Sequence, residues 1–144
     1  MRLASASDTE ALGARLAREL KAGDVVALFG DLGTGKTTLS RGVLRGLGVE
    51  GDVASPTFPI VQPYEQLDPP VWHVDLYRIE DSSELSQLAL DEAREDVAML
   101  IEWPERLPYL WPETLRLTLG DAPGGGRALT AAVPPAWGTR WPLR

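Results

Sequence analysis

The chain is predicted to be a single α/β domain, with a mostly parallel central sheet flanked by helices and an antiparallel hairpin at its C-terminal end. Three observations predict this. Apolar runs of strand length recur at Val25–Phe29, at the start of Val71–Arg78 and at Val97–Ile101, as buried strands of a parallel sheet require. Helically spaced apolar residues precede or follow them, beginning with Leu12, Leu16 and Leu20. Last, Leu115–Leu119 alternates with period two, and a Gly-rich turn joins it to a second short run, Ala128–Ala131.

In order along the chain, Ser7-Asp8-Thr9-Glu10 has capping-box spacing and opens a helix whose leucine stripe ends before Gly23. The strand Val25–Phe29 runs into Gly30-Asp31-Leu32-Gly33-Thr34-Gly35-Lys36-Thr37-Thr38, which satisfies G-x-x-x-x-G-K-[ST]. Glycines at 30, 33 and 35 let backbone N–H groups wrap an anion, and the helix from about Lys36 to Arg45 adds its unpaired N-terminal donors. The stretch is a nucleotide phosphate site, so the fold class is the three-layer sandwich of the P-loop NTPases. Asp31, Leu32, Gly33, Thr34, Gly35, Lys36, Thr37 and Thr38 are expected to contact the nucleotide. Lys36 reaches the β- and γ-phosphates, and the Thr37 hydroxyl takes one position on Mg²⁺.

Leu39, Val43 and Leu44 form the inner side of this second helix, with Gly46, Leu47 and Gly48 at its end. Residues 51–64 hold Pro56, Pro59 and Pro63 and read as a loop giving way to an edge strand. Within it, Ser55-Pro56-Thr57-Phe58 is placed to act as a switch over the nucleotide, with Thr57 sensing metal or γ-phosphate; the alternative is a surface turn. Tyr64–Pro70 is a hairpin or short loop. The next strand ends near Asp75, at the edge where open α/β sheets bind ligands. Asp81 and Glu84 have cap spacing, with Ser82 or Ser83 as the alternative cap, before a short helical face of Leu85, Leu88 and Ala89; the acidic group Asp91, Glu92, Glu95 and Asp96 reads as a solvated face, the alternative being a partner surface or a role near the nucleotide. Glu102 ends the third apolar run as Asp75 ends the second. A turn or short helix follows at 105–107 and again at 109–112, then the C-terminal hairpin. Residues 134–144, with Trp137 and Trp141, form a tail that either packs locally or frays.

A length of 144 residues suits one domain, 1–144, and 44% apolar with 24% charged residues is ordinary for a globular protein. The chain contains no cysteine, which excludes a disulfide framework and a thiolate nucleophile. A formal charge of -7 argues against unspecific attraction to nucleic acid or an anionic membrane. The sequence starts without a signal-like apolar run and has none of membrane-spanning length, and a need for ATP places the expectation in the cytoplasm.

Two assignments of the carboxylates compete. In one, Asp75 holds the metal and Glu102 orients the attacking water; in the other, Glu102 ends the strand beside the loop and is tied to the metal, with Asp75 in support. Arg78 and Arg106 are candidates for positive charge near the phosphates, or for plain surface pairing. His73 reads as a satisfied interior histidine, not as a base. The chain lacks N-K-x-D, which favours ATP over GTP, and it has little length to spare for a kinase lid. A small-molecule kinase and a nucleotide-gated binding module are the competing functions.

Four blocks, Gly30–Thr38, Ser55–Phe58, His73-Val74-Asp75-Leu76-Tyr77-Arg78 and Ile101-Glu102-Trp103-Pro104, resemble in order and spacing the TsaE (formerly YjeE) family, bacterial ATPases required for threonylcarbamoyladenosine modification of tRNA. The resemblance spans about residues 7 to 120. It implies a compact Mg²⁺-dependent ATPase, weak alone, that joins the TsaD and TsaB proteins and meets tRNA only through them. It also implies Lys36, Thr57, Asp75 and Glu102 as catalytic residues, with Thr37, Asp75 and Glu102 around the metal.

Overall fold

The computed structural model describes residues 1–31, 33–51, 53, 61–79 and 87–143, with Gln87 and Leu88 by backbone alone. Leu32, the Ser55–Phe58 block with Thr57, the Asp81/Glu84 cap and Leu85 lie outside the described residues, as does the Leu88 side chain.

Among the described residues seven strands form one sheet: β1 (Arg2–Leu3), β2 (Val25–Phe29), β3 (Val61–Tyr64), β4 (Val71–Asp75), β5 (Ala98–Glu102), β6 (Leu115–Asp121) and β7 (Arg127–Ala132). Their order is β1-β7-β6-β2-β5-β4-β3. The central four, β6-β2-β5-β4, are parallel, and antiparallel pairings add β3 at one edge and β7 and β1 at the other. The edge strand β3 carries Pro63, which an interior strand would not tolerate.

Helices α1 (Ala6–Glu19) and α2 (Lys36–Gly46) pack on one face, where Leu12, Leu16, Leu39 and Val43 meet Val26, Leu28, Leu100 and Leu117. On the other face Leu90 of α3 (Gln87–Ala93) joins Val25, Met99, Ile101 and Trp111. Strand residues therefore alternate between two cores, as a sheet buried on both sides demands.

Two expectations are corrected. α1 is capped by Ser5, whose Oγ accepts from Asp8 N at 3.2 Å while Asp8 Oδ2 accepts from Ala4 N at 3.0 Å; Glu10, the predicted capping residue, instead pairs with Arg45 at 2.6 Å. Of the described α3 side chains Leu90 is buried in the core and Ala93 packs against it, while Ala89 is exposed. In the acidic group Glu92, Glu95 and Asp96 are exposed, as a solvated face requires, while Asp91 accepts hydrogen bonds from Trp111 Nε1 and Tyr109 Oη and braces the segment after β5.

The expected C-terminal hairpin is β6–β7, and the tail after it is packed. Trp137 is buried, and the Arg140 guanidinium pairs with Asp24 at 2.7 Å and donates to Glu19 O at 2.8 Å. At the end of α2, Gly48 N donates to Arg45 O and Val49 N to Leu44 O, closing the helix around Gly48 at φ 110°.

Candidate functional site

Between β2 and α2 the chain turns through Gly30, Gly33 and Gly35, at φ 143°, 78° and 105°, where only glycine is unstrained. At Gly30 a Cβ would stand 2.5 Å from the Leu119 carbonyl oxygen and 2.6 Å from Thr34 Oγ1, so the position also lacks room. Thr34 Oγ1 donates to Asp31 O at 2.8 Å, and Arg127 Nη2 donates to Gly33 O at 2.8 Å. Gly35 occupies the N-cap of α2 and supplies no side-chain acceptor. The first N–H groups of α2 therefore carry no side-chain cap, and with the helix dipole they present positive potential to an anion. Beside the loop lies a cleft of about 290 Å³ lined in part by Ser5, Thr9, Gly33, Gly35, Thr38 and Arg127.

Lys36, nearly fully buried, donates from Nζ to Gly30 O at 2.5 Å and stands over the Trp103 ring, 3.5 Å from its centroid. Burial holds its ammonium below the ordinary lysine range, opposed by the charges of Glu102, Glu105, Asp75 and Asp31. Trp103 has φ 59° and ψ 49°, and among the described residues no other non-glycine has positive φ. Such a conformation costs on the order of 1–3 kcal/mol and persists only where the surroundings enforce it. Here it accompanies a ring set under Lys36 and stacked on Tyr77, centroids 4.9 Å apart, directly before the buried Pro104.

Glu102 ends β5, the strand next to β2, and is 2% exposed. Its Oε1 accepts from Thr37 Oγ1 at 3.0 Å, and its Oε2 lies 2.6 Å from His73 Nε2. Asp75 stands opposite Glu102 in the β4–β5 register, one strand farther from the loop, and its Oδ1 accepts from Tyr77 N at 3.0 Å. Burial is the main cause that lifts the Asp75 carboxyl above its ordinary range; the Glu102 charge adds to it, against the Tyr77 N–H, His73 and Lys36.

Lys36, Thr37, Asp75 and Glu102 thus lie at one end of the sheet. Asp31, Gly33, Thr34, Gly35 and Thr38 lie on the loop or the first turn of α2. Arg78 is exposed, and Arg106 donates to Ile79 O at 3.1 Å. The arginine that touches the loop is Arg127, which sequence reasoning missed, since nothing local links β7 to residue 33. His73 is the buried, hydrogen-bonded interior histidine that was expected, and only its pairing with Glu102 was missed. Strand parity was the available signal, because 71, 73 and 75 share a face of β4 and Glu102 sits beside them on β5.

Among the described residues no three His, Cys, Asp or Glu side chains gather as a metal site. A hydroxyl with one or two carboxylates is nevertheless the oxygen set that Mg²⁺ takes when phosphates and water complete its shell. Thr37, Glu102 and Asp75 fit that requirement.

A mostly parallel α/β sheet whose strand–loop–helix unit bears G-x-x-x-x-G-K-T is consistent with the P-loop class. Within that class it belongs to the TsaE family: the family model described as threonylcarbamoyl adenosine biosynthesis protein TsaE matches residues 3–128. The tRNA threonylcarbamoyladenosine biosynthesis protein TsaE of Streptomyces coelicolor is 46% identical over 117 residues, 78% of this chain and 79% of that protein. Its namesake in Bacillus subtilis is 38% identical over 131 residues, 90% of this chain and 82% of that protein. The crystal structure of Bacillus subtilis YdiB is similar with a TM-score of 0.77 at 33% identity, over 95% of this chain and 86% of that one.

Proposed function

We infer that this chain is a Mg²⁺-dependent ATPase that serves threonylcarbamoyl modification of adenosine 37 in tRNA, as an accessory subunit working with TsaD and TsaB. The observation that carries the chemistry is the Thr37 Oγ1–Glu102 Oε1 hydrogen bond, which joins the phosphate loop to the end of the neighbouring strand. Family membership carries the biological role.

In this reading the N–H groups from Gly33 to Thr38 bind the phosphates, and Lys36, held by the Gly30 carbonyl and the Trp103 ring, directs its charge toward the γ-phosphate. Mg²⁺ bound at Thr37 would neutralise charge on the phosphates and orient them. Of the two carboxylate assignments, the geometry favours Glu102 as the one tied to the metal. Its oxygen already engages the Thr37 hydroxyl, whereas Asp75 lies a strand away and caps the Tyr77 N–H. Asp75 then supports the site, and Thr57 remains the proposed switch. The cleft beside the loop receives the rest of the nucleotide. No helix among the described residues is long and apolar enough to cross a membrane, and we assign the working site to the cytoplasm, where ATP and tRNA are found.

The test is ATP hydrolysis by the purified chain, alone and with TsaD and TsaB. Slow turnover that rises when both partners are present supports the proposal. Absence of both association and stimulation, with every component folded, rejects it.

A further inference from the structure

Glu102 is a buried carboxylate with both oxygens engaged: Oε1 by the Thr37 hydroxyl, Oε2 by His73. A glutamate carboxylate turns through a broad torsional well, so one hydrogen bond does not fix its plane. Two bonds from different elements do. His73 is fully buried and rigidly placed, because β4 is paired to β5 along its whole length, from Val71 opposite Ala98 to Asp75 opposite Glu102. Its second ring nitrogen, Nδ1, has no hydrogen-bond partner among the described residues. A buried N–H without an acceptor is rarer and costlier than a buried lone pair without a donor, which makes Nδ1 the bare nitrogen and Nε2 the one that carries hydrogen.

We propose that His73 is the positioning residue of the site: its Nε2–H donates to Glu102 Oε2 and thereby aims Oε1 at the Thr37 hydroxyl. This rests on the ATPase reading of Glu102. Among the described residues the hydrogen-bond partner of His73 is Glu102, not the nucleotide loop, so it is not a catalytic residue. It acts as the outer partner that orients an inner ligand, a relation whose loss typically lowers activity about 10- to 100-fold.

Two measurements decide it. The chain has a single histidine, so ¹⁵N-histidine labelling of the whole protein reports one imidazole without assignment. Nε2 is expected to be protonated with a slowly exchanging hydrogen, Nδ1 bare, and the ring signals displaced in Glu102→Gln. A ring protonated on Nδ1, or signals indifferent to Glu102→Gln, overturns the proposal whether or not the chain hydrolyses ATP. The second is kinetic, on the full chain with TsaD and TsaB, using His73→Gln, His73→Asn and His73→Leu.

A Gln side chain sets an amide N–H near the place of Nε2, and Asn sets one near Nδ1. His73→Leu and His73→Asn should lose at least about tenfold in kcat with ATP affinity within about threefold, while His73→Gln recovers most of the rate. Thermal midpoints identify any variant that fails to fold. Equal loss in Gln and Asn, or weakened ATP binding that accounts for the whole loss, overturns the proposal. Activity in the wild type that collapses in Glu102→Gln but survives in His73→Leu removes the role of His73 and leaves the ATPase reading intact. An inactive wild type removes that reading, and the imidazole signals still decide the hydrogen bond.

Discussion

Replacing Gly42 by alanine should unseat the helix that carries Lys36 and Thr37, although alanine is the better helix former. α1 and α2 cross at glycines. A Cβ on Gly42 would fall inside contact distance of the Glu10 carbonyl oxygen and 2.9 Å from both the carbonyl carbon and Cα of that residue. Across the contact, a Cβ on Gly13 would stand 2.5 Å from Leu39 O and 2.7 Å from Val43 N. All of these are backbone atoms, so no side chain can rotate to relieve the clash.

Bringing the 2.9 Å approaches to an ordinary carbon contact of about 3.7 Å separates the helices by at least about 0.8 Å, and the closer carbonyl oxygen demands more. Alanine gains about 1 kcal/mol of helix propensity, and overpacking against backbone that cannot rotate away costs about 3 kcal/mol, the upper end of the usual range. The separation also loosens Leu12 and Leu16 from Leu39 and Val43, all at most 1% exposed, which adds to the unfavourable side. The net is a loss of about 2 kcal/mol, or about 4–8 °C in Tm for a domain near this size. Calorimetric melting reads it directly, with Gly120→Ala as the control, since a Cβ there meets nothing within 4 Å. A Gly42→Ala variant that melts with or above the wild type refutes the reasoning.

Trp103→Leu removes the ring beneath Lys36, an interaction worth about 0.5–2 kcal/mol, and should weaken ATP binding by about 2- to 30-fold in titration calorimetry, with Trp103→Phe between the two. Trp137→Ala empties a buried site in the C-terminal tail and should cost about 3–5 kcal/mol in denaturant unfolding; a cost under about 1 kcal/mol would mean the tail contributes no core. Burial lifts the Asp75 carboxyl above its ordinary range, so the folded state resists its ionisation. That cost is absent below the ordinary range, grows between the ordinary and raised values, and is complete above them. Asp75→Asn should therefore raise the Tm of the nucleotide-free chain at neutral pH, and the gain should vanish on acidification through that window; a gain that persists in acid contradicts the cause.

What was legible in the sequence follows from how local each signal is. The phosphate loop, its strand and its helix are contiguous, and apolar runs with glycines announce all three. β1 was not legible, because two residues show no period; Arg2–Leu3 is a strand only through β7, reached across the whole chain. The α1 cap was misplaced because Ser5/Asp8 and Ser7/Glu10 share one spacing, and tertiary contact decides: Arg45 claims Glu10. At the site, Lys36, Thr37, Asp75 and Glu102 could be chosen by residue type and strand end. That His73 touches Glu102 and Arg127 touches Gly33 depends on which strands lie side by side, which no window of sequence encodes.

The most direct test of the account is the pair of ATP affinity and single-turnover hydrolysis for Glu102→Gln, measured with Mg²⁺ and both partners. The account predicts affinity within about tenfold of wild type, because the loop and Lys36 hold the phosphates, and hydrolysis lowered at least about 100-fold. Hydrolysis at the wild-type rate would contradict it.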